Sequence, residues 1–362
     1  MVSEAVFAVI LAGGSGTRFW PKSRETSPKQ LCKIGESDRT MLEITLDRLD
    51  GFIPPERRLI VTHAKQMALT KEIVKNKAEI FISEPEAKNT AAALTLAALE
   101  IQFQTGNPQA VMLSFHADHI IPNKEKFIAS LDLACSVAKK GKLTLLGIKP
   151  SYPETGYGYI EKGEALDAEG AFSVAHFKEK PDRELANILY KSGNYLWNSG
   201  IFVWQIGTFL SEVREFLPHT YKSLHNLNLK EKASFAGMSQ DSIGEAYRKL
   251  QSVAVDHAIL ESSQKTAVVT ASFAWEDVGS WAALDKCFPT DEKGNLAYGS
   301  VMLLDTKGCT VDTDGPFVAA LGLENIVIVA AKDAILVCPK ERSQEVKTVV
   351  ARLKDEKRLD LV

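Results

Sequence analysis

A glycine-rich segment with two nearby cations follows the first apolar run of this chain. Residues 5–11, AVFAVIL, predict a buried strand, and residues 12–18 continue as AGGSGTR. Glycine lets the backbone approach a bulky anion and present its N–H groups to it. The side chains of Arg18 and Lys29 can neutralise the charge of a polyphosphate. We therefore expect an α/β protein whose first strand ends in a phosphate-binding loop.

The spacing of these glycines differs from two common phosphate-binding motifs. A Walker-type P-loop has the pattern G-x-x-x-x-G-K-[ST], and here Thr17 follows Gly16 where that pattern has lysine. A dinucleotide fingerprint, G-x-G-x-x-G, requires glycine where this chain has Phe19. The loop therefore argues against a P-loop ATPase. A plain glycine-rich turn after a first strand stays open as the alternative.

The loop resembles the signature of a known enzyme family. Residues 11–21, LAGGSGTRFWP, followed by Pro-Lys-Gln at 28–30, resemble the signature of sugar-1-phosphate nucleotidylyltransferases, in particular the mannose-1-phosphate guanylyltransferase branch. The resemblance continues through later motifs to about Leu284. It implies an enzyme that transfers GMP from GTP to α-D-mannose 1-phosphate, giving GDP-mannose and diphosphate. The alternatives are another sugar 1-phosphate or nucleotide, or a non-catalytic regulator that binds nucleotide sugars.

Strand and helix patterns alternate through the first half of the chain. Strands are predicted at 5–11, 58–62, 79–83, 109–114, 143–148, 157–162, 171–178, 199–205 and 266–272, and helices at 41–49, 64–76, 90–104, 124–140, 182–192, 206–216 and 242–250. This alternation predicts a Rossmann-like, mostly parallel sheet with helices on both faces.

From about residue 294 the pattern changes to short β-type runs separated by turns. An amphipathic helix over 341–353 closes the chain. We expect a nucleotidylyltransferase catalytic domain over residues 1–288 and a small β-rich domain with a closing helix over 289–362. The resemblance implies that this second domain contains a fragment of left-handed β-helix.

Composition limits the partners and the compartment. The 362 residues carry a net charge of −3, which provides no basic footprint for nucleic acid, and no apolar run is long enough for a membrane helix. The five cysteines lie far apart, which favours neither disulfides nor a zinc site. The amino terminus lacks the cationic segment of a signal peptide. We expect a cytoplasmic enzyme that forms a homodimer, with a single activity and without the phosphomannose isomerase domain that some longer family members append.

Two carboxylates that each follow a predicted strand are the candidates for a metal site. Asp118 follows the apolar run 110–115, and Asp277 lies in the segment WEDVGSW. Ligands of open α/β sheets bind at the carboxyl ends of strands, and Mg²⁺ prefers oxygen ligands. The resemblance implies that both carboxylates hold Mg²⁺. Alternatively, each is a helix cap or loop residue. Zinc at His116 and His119 is disfavoured because no cysteine or third histidine lies nearby.

The remaining candidate residues come from the resemblance. It implies catalytic roles for Arg18 and Lys29, which would hold the diphosphate, and for Lys180, which would bind the sugar phosphate. The implied sugar-phosphate residues are Gly158, Glu161, Glu179, Lys180 and Asn198. The implied nucleotide residues are Leu11, Gly13, Gly14, Ser15, Gly16, Thr17, Glu84, Lys88, Asn89 and Thr90. The alternatives without a functional role are a solvent-exposed charged segment at 178–180 and helix-capping residues at 89–90.

The sequence also favours a mechanism without a covalent intermediate. Bringing two anions together requires charge neutralisation and alignment rather than a protein nucleophile. Ser15 in the loop has no adjacent base, and no cysteine has a histidine partner in the sequence. We therefore expect direct in-line attack by a sugar phosphate oxygen on the α-phosphorus of the nucleotide.

Overall fold

Helices and strands alternate in the computed structural model, which describes residues 5–14, 16–35, 37–231 and 233–362. The α-helices are α1 (Met41–Asp47), α2 (Met67–Val74), α3 (Asn89–Thr105), α4 (Lys124–Ala138), α5 (Arg183–Ser192), α6 (Ile206–Phe216), α7 (Pro218–Glu231), α8 (Gln240–Arg248) and α9 (Val346–Asp355). The strands are β1 (Val6–Leu11), β2 (Arg58–His63), β3 (Ile80–Glu84), β4 (Val111–His116), β5 (His119–Ile120), β6 (Leu143–Ile148), β7 (Tyr159–Ala165), β8 (Ala171–Lys178), β9 (Tyr195–Gln205), β10 (Thr266–Thr270), β11 (Glu276–Asp277), β12 (Leu296–Tyr298), β13 (Val301–Leu304), β14 (Thr310–Thr313), β15 (Val318–Leu321), β16 (Ile326–Ala330) and β17 (Ile335–Pro339).

The central sheet has the strand order β3-β2-β1-β4-β9-β6-β10-β8-β7. Strands β3, β2, β1 and β4 are parallel to one another, as are β6 and β10. Strand β9 is antiparallel to both β4 and β6, and β8 is antiparallel to β10. The predicted Rossmann-like α/β fold is confirmed, and β8 and β9 are antiparallel additions to it.

Both faces of this sheet are covered by helices. Phe7 and Val9 of β1 pack into one core with α3 and α6, whereas Ala8 and Ile10 pack into a second core with α1 and α4. Successive residues of a strand point to opposite faces, so a strand between two helical layers must be apolar throughout. This explains the unbroken apolar run of β1. Among the described residues, the helices are too short or too polar to traverse a bilayer.

The C-terminal part of the chain forms stacked β-coils. Strands β12, β14 and β16 pair in parallel, and β13 pairs in parallel with β15. Parallel pairing between short strands of successive coils is the arrangement of a β-helix. Strand β17 closes the stack in antiparallel orientation. The expected β-rich domain with a closing helix is confirmed, while its left hand and its boundary at residues 288–289 stay predictions.

A third core joins the two parts of the chain next to the glycine loop. The indole Nε1 of Trp281 donates to the Trp20 carbonyl at 3.1 Å, and Nε1 of Trp20 donates to the Leu361 carbonyl at 2.8 Å. Lys22 forms an ion pair of 2.7 Å with the buried Asp312 of β14. The segment that follows the glycine loop is thereby fixed to the β-helix.

Candidate active site

The carboxyl ends of the parallel strands bring several predicted site residues to one edge of the sheet. Leu11 at the end of β1 pairs in register with His116 at the end of β4. Glu84 occupies the last position of β3. The glycine loop leaves the sheet from β1, and Asp118 follows β4. Ligands of open α/β sheets bind at this edge, and the glycine loop and the first candidate metal ligand both lie there.

The shape of the glycine loop is set by the segment that carries Lys29. Gly16 has a φ of 56°, and a Cβ atom on it would lie 2.5 Å from the backbone nitrogen of Lys29, so only glycine fits. The side-chain amide of Gln30 donates to the carbonyls of Ala12 at 2.6 Å and Gly14 at 3.2 Å. Ser15, predicted to contact the nucleotide, lies outside the described residues. These contacts place Lys29 directly against the loop.

Lys29 connects the loop to both candidate metal ligands. Its Nζ lies 3.1 Å from Oδ2 of Asp118 and 3.8 Å from Oδ1 of Asp277. The two carboxylates are neighbours because β5 and β11 form an antiparallel ribbon in which Asp277 pairs with His119. A two-residue ribbon thus brings together side chains that are far apart in sequence.

The electrostatics of the two carboxylates differ. Burial opposes ionisation of Asp118, but the Lys29 ammonium together with the neighbouring His119 and His116 outweighs it, so the pKa of Asp118 lies below its usual range. Burial and the negative charge of Asp118 raise the pKa of Asp277. One ammonium therefore compensates two adjacent carboxylates incompletely, and a divalent cation between them would complete the neutralisation.

The donor atoms at this point fit Mg²⁺. Two carboxylates offer the hard oxygen ligands that this ion prefers. The ligand atoms of His116, Asp118 and His119 also lie within 4.8 Å of one another, which keeps a transition metal as an alternative. However, Nδ1 of His119 accepts a hydrogen bond from the indole of Trp275 at 3.1 Å. Burial and the neighbouring His116 lower the pKa of His119, so its ring is neutral.

Two cavities meet at the carboxylate pair. The first, of about 280 Å³, is bordered by Gly16, Thr17, Arg18 and Lys29 together with both carboxylates. Arg18 is exposed, and within the described ranges no ion pair engages it. This cavity therefore combines two cations, the glycine loop and both candidate metal ligands, as a polyphosphate site requires.

The second cavity, of about 370 Å³, contains most of the predicted sugar-phosphate residues. It is bordered by the turn before β7, by the segment that follows β8, by the interior of β9 and by the start of α3. The residues that concern the prediction are Gly158, Glu179, Lys180, Asn198, Asn89, Thr90, Asp118 and Asp277. Lys180 Nζ donates to Glu179 Oε1 at 2.6 Å, and Lys180 has a φ of 42°, a conformation that non-glycine residues rarely adopt. Glu161 does not border this cavity in the described part of the chain; its carboxylate accepts from Asn194 at 3.5 Å.

Glu84 is buried beneath the glycine loop. A Cβ atom on Gly13 would lie 3.2 Å from Oε2 of Glu84, and Oε1 accepts a hydrogen bond from the Tyr247 hydroxyl at 3.1 Å. Burial raises the pKa of Glu84 to about 7. This carboxyl supports the loop from below, and its predicted contact with the nucleotide stays a prediction.

The other predicted nucleotide residues border the start of α3. Asn89 has a φ of 65°, and its Oδ1 accepts from the backbone N–H of Thr90 at 2.8 Å. Oγ1 of Thr90 accepts from the backbone N–H of Val255 at 2.9 Å. Nζ of Lys88 lies 3.5 Å from Oε2 of Glu86. The N-cap position of α3 is Lys88, which makes no side-chain capping hydrogen bond, and Asn89 and Thr90 both border the second cavity.

Two residues of the second cavity were missed at the sequence level. Asp256 starts a π-helical turn, Asp256–Leu260, and Tyr157 donates from its hydroxyl to Oε1 of Glu276 at 3.2 Å. Both border the cavity. A single carboxylate in the mostly apolar segment 253–260 was the available signal, but this segment also fits an ordinary amphipathic helix.

Comparisons with known proteins agree with this geometry. A family model described as nucleotidyl transferase matches residues 7–294, and a model described as MannoseP isomerase/GMP-like beta-helix domain matches residues 299–353. The chain belongs to the nucleotidyl transferase family. It is an enzyme of this family, and mannose-1-phosphate guanylyltransferases are among its relatives.

This transferase resembles its relatives over nearly its whole length. It is 37% identical over 360 residues to a putative mannose-1-phosphate guanylyltransferase of Vibrio cholerae, covering 97% of this chain and 75% of that protein. It is 38% identical to a mannose-1-phosphate guanylyltransferase of Klebsiella pneumoniae, with 97% and 74% covered. A solved structure described as a mannose-1-phosphate geranyltransferase from Thermus thermophilus superimposes with a TM-score of 0.87 at 33% identity, covering 97% of this chain and all of that one.

Proposed function

We propose that this protein transfers GMP from GTP to α-D-mannose 1-phosphate, forming GDP-mannose and diphosphate. The observation that carries the proposal is the position of Asp118 and Asp277 between a cationic loop cavity and a cavity with sugar-binding chemistry. The names of the relatives support the choice of substrates.

The reaction joins two anions, and cationic side chains surround their meeting point. A phosphate oxygen of the sugar forms a bond to the α-phosphorus of the nucleotide, and the bond from that phosphorus to the leaving diphosphate breaks. Arg18 and Lys29 lie where they can neutralise the polyphosphate, and Lys180 lies in the adjoining sugar cavity. Charge neutralisation and alignment supply most of the catalysis in transfers of this kind.

We propose Mg²⁺ as the cofactor, held by Asp118 and Asp277. When bound, this ion supplies Lewis-acid stabilisation of charge on the reacting phosphates. Lys29 favours the ionised form of both carboxylates and orients them through its contacts at 3.1 and 3.8 Å. The ribbon of β5 and β11 fixes their separation.

The transfer proceeds directly, without a covalent enzyme intermediate. Burial raises the pKa of Cys32 to about 11 and that of Cys287 to about 12, so both are poor nucleophiles near neutral pH. In the described part of the chain, no cysteine borders either cavity of the site. The sugar phosphate itself is the nucleophile.

The protein is proposed to act as a cytoplasmic homodimer. The β13–β15 sheet exposes an apolar face, on which Met302, Leu304 and Leu321 are 48%, 51% and 68% exposed. Contiguous apolar surface of this kind marks protein contacts. Replacing Leu304 by aspartate should convert a dimer to a monomer in light scattering, and a monomeric wild-type protein would refute this assembly.

A substrate matrix tests the proposed function. Diphosphate release is measured with Mg²⁺ for GTP, ATP, UTP and dTTP, each with mannose 1-phosphate and with glucose 1-phosphate. The proposal predicts release mainly with GTP and mannose 1-phosphate. Release with another pair would refute the substrate assignment and retain the transfer chemistry. Release with none of the pairs would favour a non-catalytic nucleotide-sugar-binding protein.

A further inference from the structure

A second pair of carboxylates lies in the sugar cavity, away from the candidate metal ligands. Asp256 and Glu179 both border the cavity of about 370 Å³. Oδ1 of Asp256 accepts a hydrogen bond from the side-chain amide of Asn198 at 2.7 Å. Oε1 of Glu179 accepts from Lys180 at 2.6 Å. Each carboxylate therefore has one oxygen engaged by the protein.

The other oxygen of Glu179 is buried and lacks a donor. No described residue donates a hydrogen bond to Oε2 of Glu179. This oxygen packs against Gly158, on which a Cβ atom would lie only 2.4 Å from it. A buried acceptor without a partner is costly, and native structures normally satisfy it with protein, water or ligand. The missing donor points to a ligand with hydrogen-bond donors.

The negative charge of Asp256 and Glu179 determines which kind of ligand group can bind between them. Burial, and then the negative charge of Glu179, raise the pKa of Asp256. Among the described residues no lysine or arginine forms an ion pair with Asp256, and the nearby Lys180 pairs with Glu179. Two acceptor-only groups repel a phosphate, whereas hydroxyl groups can donate to both. The hydroxyl groups of a sugar phosphate would be accepted by Asp256 and Glu179, and its phosphate would bind to Lys180.

The backbone around Asp256 is anchored to the nucleotide side of the site. The N–H of Val255 donates to Oγ1 of Thr90 at 2.9 Å, and the N–H of Ala91 donates to the Val253 carbonyl at 3.3 Å. The carboxylate of Asp256 is thus held rigidly between the start of α3 and Asn198. A fixed acceptor of this kind discriminates between hydroxyl arrangements on a ring.

We propose that Asp256 is a sugar-binding residue that accepts a ring hydroxyl of the sugar 1-phosphate and, together with Glu179, determines which sugar is used. This inference rests on the proposed function, because it assumes that the cavity receives a sugar 1-phosphate. Its contribution is to binding of the sugar rather than of the nucleotide.

The test replaces Asp256 by asparagine and measures KM for each substrate separately. Asp256→Asn should raise KM for mannose 1-phosphate about 10- to 100-fold, the range for losing a hydrogen bond to a charged group, with KM for GTP changed less than about twofold. Asp167→Asn, which alters an exposed carboxylate in a turn distant from the cavity, is the matched control and should change neither KM. Equal increases in both KM values for Asp256→Asn would refute the proposal.

Deoxy sugars provide a readout that a structural role of Asp256 would not alter. Mannose 1-phosphates that each lack one ring hydroxyl are compared on wild type and variant. One deoxy sugar should lose affinity with wild type and lose no further affinity with Asp256→Asn. If every deoxy sugar shows the same loss with both proteins, Asp256 contacts no hydroxyl and the proposal is wrong.

Further outcomes separate this proposal from its alternatives. An increase in the Mg²⁺ concentration required for half-maximal activity, with KM for the sugar unchanged, would assign the pair to a cation and overturn the proposal. If wild type uses only another sugar 1-phosphate, the proposed function fails, and the same deoxy series on that sugar decides the role of Asp256. Should Asp256→Asn not fold, Asp256→Ser is measured in the same way.

Discussion

Glu84 provides a quantitative test of the electrostatics beneath the glycine loop. Its side chain is 7% exposed, and the Tyr247 hydroxyl donates to it at 3.1 Å. Burial raises its pKa from 4.5 to about 7. This difference corresponds to about 3 kcal/mol of free energy that opposes folding once the carboxyl is ionised. Glu84→Gln keeps an acceptor for Tyr247 and removes the ionisation.

The sign of the effect follows from the linkage between folding and protonation. The folded state retains the proton of Glu84 to higher pH than the unfolded state does. The contribution of this group to stability is therefore fully present below about pH 4.5 and is lost as the pH rises through about 7. Glu84→Gln should match wild type near pH 4.5 and exceed its unfolding free energy by up to about 3 kcal/mol at pH 8.

Urea unfolding at both pH values measures this difference directly. Glu79→Gln, an exposed carboxyl just before the other end of β3, is the matched control and should stay within about 0.5 kcal/mol of wild type at each pH. A stability difference for Glu84→Gln that is the same at pH 4.5 and pH 8 would refute the reasoning. So would a variant that is less stable than wild type at pH 8.

Further substitutions test the loop and its junction with the β-helix. Gly16→Ala should destabilise the protein by about 1–3 kcal/mol and lower kcat/KM at least tenfold, because its Cβ would lie 2.5 Å from the Lys29 nitrogen. Gly14→Ala meets open space and should change the unfolding free energy by less than about 1 kcal/mol; equal losses for both would contradict this packing. Trp20→Phe removes the 2.8 Å hydrogen bond to Leu361 and should lower the unfolding free energy, measured by thermal unfolding, by about 1 kcal/mol. An unchanged unfolding free energy would show that this hydrogen bond does not stabilise the protein.

Periodicity predicted the bounds of several regular elements correctly. The strands over 143–148 and 171–178 and the helix over 206–216 have the predicted bounds. Helix α7 was missed because polar residues dominate its sequence and leave only a weak apolar periodicity. The closing helix, predicted from 341, begins with a 3-10 segment and becomes α9 only at Val346. Local pattern does not distinguish a 3-10 turn from an α-helical one.

The candidate site was predicted in its residues but not in its geometry. The resemblance named Asp118 and Asp277, yet the two-residue ribbon that joins them has no periodicity that a sequence could reveal. The contact of Lys29 with both carboxylates depends on Gly16, a packing relation between two segments. Asp256 went unnoticed because its importance arises only when β8 and β9 bring Glu179 and Asn198 beside it.

The central claim is that Asp118 and Asp277 act together, with a divalent cation, on the transferring phosphate. The most direct measurement is kcat/KM for diphosphate release by Asp118→Asn and Asp277→Asn, with thermal unfolding and a Mg²⁺ titration of each protein. The account predicts losses of about 10³-fold in both variants, retained folding, and wild-type activity that EDTA abolishes and Mg²⁺ restores. Folded variants with activity within tenfold of wild type, or wild-type turnover that persists in EDTA, would contradict it.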